Sequence, residues 1–196
     1  MTPPPPFPPL PLLYGIAFLF GTIVGSFLNV VIYRLPLGLS VNEPRRSFCP
    51  HCKKPIPFYR NIPLFSWLTL RGKCAECGAG IPFRYFLVEL LTGLLFLGAA
   101  HWAATAGVWQ TFFPLALLFS LLLSATFIDF DHFIIPDEIT LGGTAAGLVC
   151  SLLVPELVGE TVFWKGFLWS LFGAVLGYGL LWGVVELGKL AFGKKK

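Results

Sequence analysis

An all-α integral membrane bundle of about five transmembrane helices, with a small cytoplasmic zinc-knuckle loop, is the fold class this sequence predicts. Three observations carry that expectation. Hydrophobic residues make up 56% of the 196 and charged residues only 12%, against roughly 45–50% and 25% in soluble domains. Uncharged or nearly uncharged runs recur at lengths near the roughly 20 residues that cross a hydrocarbon core. The one long polar segment between them carries Cys49-Pro50-His51-Cys52 and Cys74-Ala75-Glu76-Cys77, the paired knuckles of a four-thiolate metal site.

The chain starts with a proline-rich stretch, Met1 to Pro9, that cannot be helical and reads as a stiff polyproline-like stub. It has no basic n-region and leads to no small-residue cleavage site, so the first helix is expected to stay in the protein. That helix is the run Leu12 to Tyr33, and residues 1–35 form the tail and first span. Residues 36–83 form the cytoplasmic zinc-binding loop, which carries Pro, Gly and aromatic residues without a helical period. A segment of this size buries too little apolar surface to fold alone, so bound metal would supply much of its folding free energy.

Residues 84–196 hold transmembrane helices 2–5. Phe86 to Gly107, Trp109 to Ile128 and Phe167 to Val185 are of spanning length. Ile139 to Val154 is shorter, and on length alone it is either a span or a buried or re-entrant helix. Gly21 with Gly25, Gly143 with Gly147, Gly173 with Gly177 and Gly179 with Gly183 have the spacing that lets helix backbones approach closely in lipid.

Lys and Arg gather in cytoplasmic loops. Nine of the fourteen lie between Arg34 and Arg84, and Lys189, Lys194, Lys195 and Lys196 close the chain. Five spans then place the N-terminus in the periplasm, with the zinc loop and the C-terminus in the cytoplasm. The net charge of +4 is thus a topology signal with membrane lipids as the partner of these side chains, and no nucleic acid is expected.

Twenty-one residues separate Cys52 from Cys74, a span that a loop closed between two knuckles accommodates. The competing reading of the four cysteines is two reduced or disulfide-linked pairs, which a reducing cytoplasmic setting disfavours. Four thiolates close a tetrahedral zinc, leaving no position for water, so the metal is expected to be structural. Cys150 falls in an apolar run and reads as a small buried hydrophobe.

The second constellation holds every aspartate of the chain: Asp129, Asp131 and Asp137, in the stretch Phe127 to Glu138. Asp129 directly continues an apolar run, where an ionisable group is costly and usually functional. Asp137 reads as a helix cap and His132 as a solvated turn residue, a reading also open to Asp131. An aspartic protease needs two carboxylates that share one proton. Asp129 and Asp131, two apart on a helix, cannot converge on one water.

Three blocks in this order give the chain a resemblance to the prepilin peptidases, the type IV leader peptidases of bacterial pilus and type II secretion systems. They are Gly25-Ser26-Phe27-Leu28-Asn29-Val30-Val31-Ile32-Tyr33-Arg34-Leu35-Pro36, the paired cysteine knuckles, and the Asp129 block ending in Ile135-Pro136-Asp137. The resemblance implies an intramembrane aspartic endopeptidase of the bacterial inner membrane, with Asp129 as a catalytic aspartate. Its substrates would be prepilins or pseudopilins, cleaved at the cytoplasmic face. N-methylation from S-adenosylmethionine commonly follows cleavage in that family. The family's second aspartate lies in a Gly-x-Gly-Asp motif, which occurs nowhere in the 196 residues. The chain is therefore expected to be a fragment that does not cleave by itself. Glu186 is expected to pair locally with Lys189. The alternative reading is a non-enzymatic zinc-knuckle membrane scaffold or assembly subunit.

Overall fold

The computed structural model describes residues 10–43, 47–49 and 51–193. The proline-rich stub of residues 1–9 and the closing lysines 194–196 lie outside them. Among the described residues the regular elements are all helices, with no named strand. Six α-helices follow in order: α1 Leu10–Arg34, α2 Phe65–Thr69, α3 Phe83–Ala106, α4 Phe112–His132, α5 Asp137–Leu153 and α6 Phe163–Phe192. Four of them, α1, α3, α4 and α6, are long and apolar enough to cross a membrane. The run beginning at Ile139 is also helical. At 17 residues, α5 rises about 25 Å, near the short end of what spans a core of about 30 Å.

The chain forms two compact units, the first ending at Thr140 and the second beginning at Leu141. In the first, α1 lies antiparallel to α3, as their successive contacts show. A Cβ on Gly21 would lie 2.8 Å from Cα of Gly93, and one on Gly25 would lie 2.7 Å from Cα of Glu89. One turn further, Asn29 Nδ2 donates to the Tyr85 carbonyl at 3.0 Å. The small-residue spacing at Gly21 and Gly25 is thus a helix contact, where dispersion between backbones replaces side-chain packing. At the loop-facing end a core cluster forms from Leu28 and Ile32 of α1, Val88 of α3, Ile128 of α4 and Ile139 of α5.

Local chemistry sets the helix ends. Pro36 follows the last turn of α1, and Gly107, at φ 72°, terminates α3 with its N–H on the carbonyls of Ala103 and Ala104. Phe133 closes α4 in the same left-handed conformation, at φ 55°, donating to the Asp129 carbonyl. Pro136 then precedes α5, whose first turn holds Asp137 and Glu138, favourably placed at the positive end of the helix dipole. This region corrects one expectation. The helix runs through Asp131 to His132, so both, though exposed, belong to α4 and not to a turn, and Arg84 of α3 forms an ion pair with Asp131.

In the second unit a short turn, Pro155–Val158, is closed by Gly159 at φ 73° and leads to α6. Gly166 of α6 approaches α5 so closely that a Cβ would sit 2.8 Å from the Ser151 carbonyl oxygen. By contrast, a Cβ on Gly147, Gly173, Gly177, Gly179 or Gly183 would meet nothing within 4 Å. Among the described residues these five glycines make no close helix contact. Lys189 pairs with Glu186 at 2.6 Å, as the i,i+3 spacing leads one to expect.

Candidate functional site

The four cysteines of the loop converge. Their sulfurs all lie within 4.8 Å of one another, and the Cys49 and Cys77 sulfurs are 3.8 Å apart. Zn–S bonds of about 2.3 Å place the sulfurs of a regular tetrahedron about 3.8 Å apart, so the donor set fits zinc in size and in chemistry. All four thiols are free, which removes the disulfide reading for this structure.

The two knuckles share one backbone design. Cys49 N–H donates to the Lys54 carbonyl at 3.0 Å and Lys53 N–H to the Cys49 carbonyl at 2.9 Å; Cys74 N–H donates to Ala79 at 2.8 Å and Gly78 N–H to Cys74 at 2.9 Å. Each turn is pinned by one antiparallel bridge, Phe48 with Pro55 and Lys73 with Gly80. Each also puts the residue after its second cysteine into the left-handed region, Lys53 at φ 59° and Gly78 at φ 72°. The Cys-x-x-Cys spacing closes this turn because the carbonyl of its first cysteine is then free to accept from the fifth residue.

The electrostatics suit a cation. Backbone N–H groups of Cys77 and Glu76 pull the Cys74 thiol down to about 7. At Cys77 the Ala79 N–H acts in the same sense, but desolvation and the neighbouring thiols of Cys74, Cys52 and Cys49 outweigh it and push that thiol up to about 11. Four adjacent sulfurs cannot all ionise without a central positive charge. Glu76, between the cysteines of the second knuckle, reaches Lys54 at 3.1 Å and Arg60 at 2.9 Å. Those hydrogen bonds, Lys54 first, hold its carboxyl below the ordinary value. The network ties the two halves of the loop together. Trp67 fastens the loop to α3 by packing against Phe83 and Phe86, with ring centroids 5.5 and 5.3 Å away.

Asp129 stands apart from this centre. It lies in the last turn of α4 with its side chain exposed, and Asp131, two residues on, is turned to Arg84. The structure therefore separates the two, as their helical spacing requires.

Two site residues escaped sequence reasoning. Asn29 is 4% exposed, and Glu89 accepts the Leu64 N–H at 2.7 Å. Both line a cavity of about 200 Å³ between the loop and the adjoining ends of α1 and α3. The available signal was a polar residue within each apolar run, which at membrane depth marks function by default.

Two family profiles cover most of the chain. The bacterial peptidase A24 N-terminal domain matches residues 19–103, and the type IV leader peptidase family matches residues 116–194. The first takes in the cysteine loop and the second takes in Asp129. Curated relatives include the prepilin leader peptidase/N-methyltransferases of Aeromonas hydrophila, 41% identical over 95% of this chain and 69% of that protein, and of Myxococcus xanthus, 41% identical over 93% and 60%. That of Neisseria gonorrhoeae is 39% identical over 94% of this chain and 68% of its own length. The chain thus spans roughly three-fifths to two-thirds of the relatives it matches. No solved structure matches it significantly.

Proposed function

This chain belongs to the type IV leader peptidase family, and from that premise we propose that it works as a prepilin leader peptidase. Such an enzyme is an aspartic endopeptidase of the bacterial inner membrane that removes the leader from prepilins or pseudopilins. The observation that carries the reading is the placement of Asp129 in the last turn of an apolar helix, followed by Ile135-Pro136-Asp137 at the start of the next. A carboxyl group there reaches a peptide bond presented at the membrane surface. Asp129 would share one proton with a second carboxyl, so that one activates water while the other protonates the developing oxyanion.

Neither nearby aspartate suits the second role. Asp131 is held by Arg84, and Asp137 opens α5. Glu186 is spent on Lys189. The 196 residues by themselves are therefore expected not to cleave. The four-cysteine loop would hold one zinc ion through Cys49, Cys52, Cys74 and Cys77, which would fix the loop against the membrane end of α3. With no open coordination position, the ion would take no part in hydrolysis. The relatives' names also carry an N-methyltransferase activity; for that step the methyl donor we assign is S-adenosylmethionine.

Leader removal from a prepilin should be compared between three proteins: this chain, the chain joined to a segment carrying Gly-x-Gly-Asp, and the joined form with Asp129→Asn. Asparagine keeps the size of the side chain and cannot exchange a proton. Cleavage is expected from the joined form alone, with Asp129→Asn lowering it at least about 10³-fold. Turnover by the unjoined chain, or undiminished turnover with Asp129→Asn, would refute the assignment.

A further inference from the structure

The cavity beneath the cysteine loop has a polar floor set into apolar walls. Ser26 and Asn29 of α1 and Glu89 of α3 supply the floor, and Val30, Ile56, Trp67, Ile81 and Pro82 line the sides. Asn29 spends its amide N–H on the Tyr85 carbonyl, while its Oδ1 is buried with no hydrogen-bond partner. Glu89 accepts the Leu64 N–H and the Ser26 hydroxyl. A carboxylate offers about four acceptor positions, so capacity remains on it.

Cations also border the cavity, each with partners of its own. Lys54 and Arg60 are paired with Glu76, and Arg34 donates to the carbonyls of Ser40 and Val41 at 3.1 Å. What Asn29 Oδ1 lacks is a donor. A buried acceptor without one costs about 1–3 kcal/mol, and a carboxyl at this depth calls for a positive partner. Apolar walls disfavour a hydrated metal ion, whose coordination shell needs many oxygen ligands. They suit a cation carried on an organic frame.

We propose that this cavity binds an organic ammonium group, received by Asn29 Oδ1 and the Glu89 carboxylate. Resting on the function proposed above, two ligands carry that group: the N-terminal amine of a peptide freed from its leader, and the amino-acid end of S-adenosylmethionine.

The test uses the 196-residue chain in lipid nanodiscs, titrated calorimetrically with three probes. They are a decapeptide with apolar residues at its first four positions and a free amine, the same peptide N-acetylated, and S-adenosylmethionine. Glu89→Gln keeps an oxygen for the Leu64 N–H and removes the charge, so the fold should persist; an unchanged melting temperature verifies it. Asn29→Leu, of similar size, removes the floor acceptor together with the hydrogen bond to Tyr85; it serves as the second variant should Glu89→Gln unfold the chain, and is expected to weaken binding by a similar factor.

If the peptide amine is the ligand, acetylation weakens binding about tenfold or more, and so does Glu89→Gln. If the methyl donor is the ligand, its own binding shows that loss with Glu89→Gln. Equal binding of both peptides together with no effect of Glu89→Gln on S-adenosylmethionine overturns the proposal, as does absence of binding by all three. Binding is read without turnover. A chain that binds ammonium but fails to cleave when joined to Gly-x-Gly-Asp would refute the peptidase reading alone, whereas Asp129-dependent cleavage without ammonium binding would refute this site alone.

Discussion

At the scale of single residues, the cysteine centre makes the sharpest demands. Sulfurs within 4.8 Å of one another make zinc the fitting ion, and metal analysis of purified protein should return close to one zinc per chain. Cys52→Ser or Cys77→Ser should lower that content severalfold, since an alcohol at neutral pH does not replace a thiolate ligand. Full metal content in either variant would exclude the four-sulfur site. Lys53 offers a finer test. It holds φ 59° where the second knuckle has Gly78 at φ 72°, and a side chain in that region costs about 1 kcal/mol or more. The cation-π contact of Lys53 with Phe48, 5.7 Å from the ring centroid, returns only part of that. Lys53→Gly should therefore hold zinc about threefold or more longer against a chelator, and faster loss would contradict the equivalence of the two turns.

At the scale of elements, close helix approach separates glycines that look alike in sequence. Gly25→Ala would drive a methyl to 2.7 Å from the Glu89 backbone, so α1 and α3 must part, at a cost of about 1–3 kcal/mol. Gly177→Ala in α6 meets open space and should be neutral, or stabilising by up to about 1 kcal/mol through helix propensity. Thermal unfolding of the two variants in one detergent checks the pair. Equal effects would mean that the α1–α3 contact does not govern stability. The Arg84–Asp131 pair, with side chains 26% and 38% exposed, joins α3 to α4 and contributes about 1 kcal/mol or less. Its larger consequence is that Asp131 has a partner other than Asp129.

At the scale of the whole molecule, orientation rests on charge. If Lys189 and the closing lysines of the sequence share a side with the basic cysteine loop, as we propose from the gathering of basic residues on the cytoplasmic face, the number of crossings is odd. Four long apolar helices with α5 as a fifth crossing meet the requirement; four crossings alone would send the lysines to the opposite face. Reporter fusions after Arg71 and after Lys196 should both indicate cytoplasm, and one after Gly159 should indicate periplasm. A cytoplasmic signal at Gly159 would make α5 a re-entrant helix, and a periplasmic signal at Lys196 would invert the arrangement.

By itself the sequence determined the helical membrane class, the four cysteines that converge and the aspartate that merits testing. Each is a local property: run length against bilayer thickness, a two-residue spacing between thiols, a carboxyl at the end of an apolar run. Tertiary structure decided the rest, because it depends on which faces meet. Gly25 became a helix contact and Gly177 did not, although their spacings are alike. Asp131 passed from solvated turn to ion pair only because α3 brings Arg84 beside α4. Asn29 and Glu89 lie 60 positions apart in the chain and line one cavity because antiparallel packing of α1 on α3 sets Gly25 against Glu89 and Asn29 against Tyr85, one turn apart. No periodicity within either helix encodes that register; it is settled by small residues that allow the backbones to close and by the hydrogen bond that forms once they have.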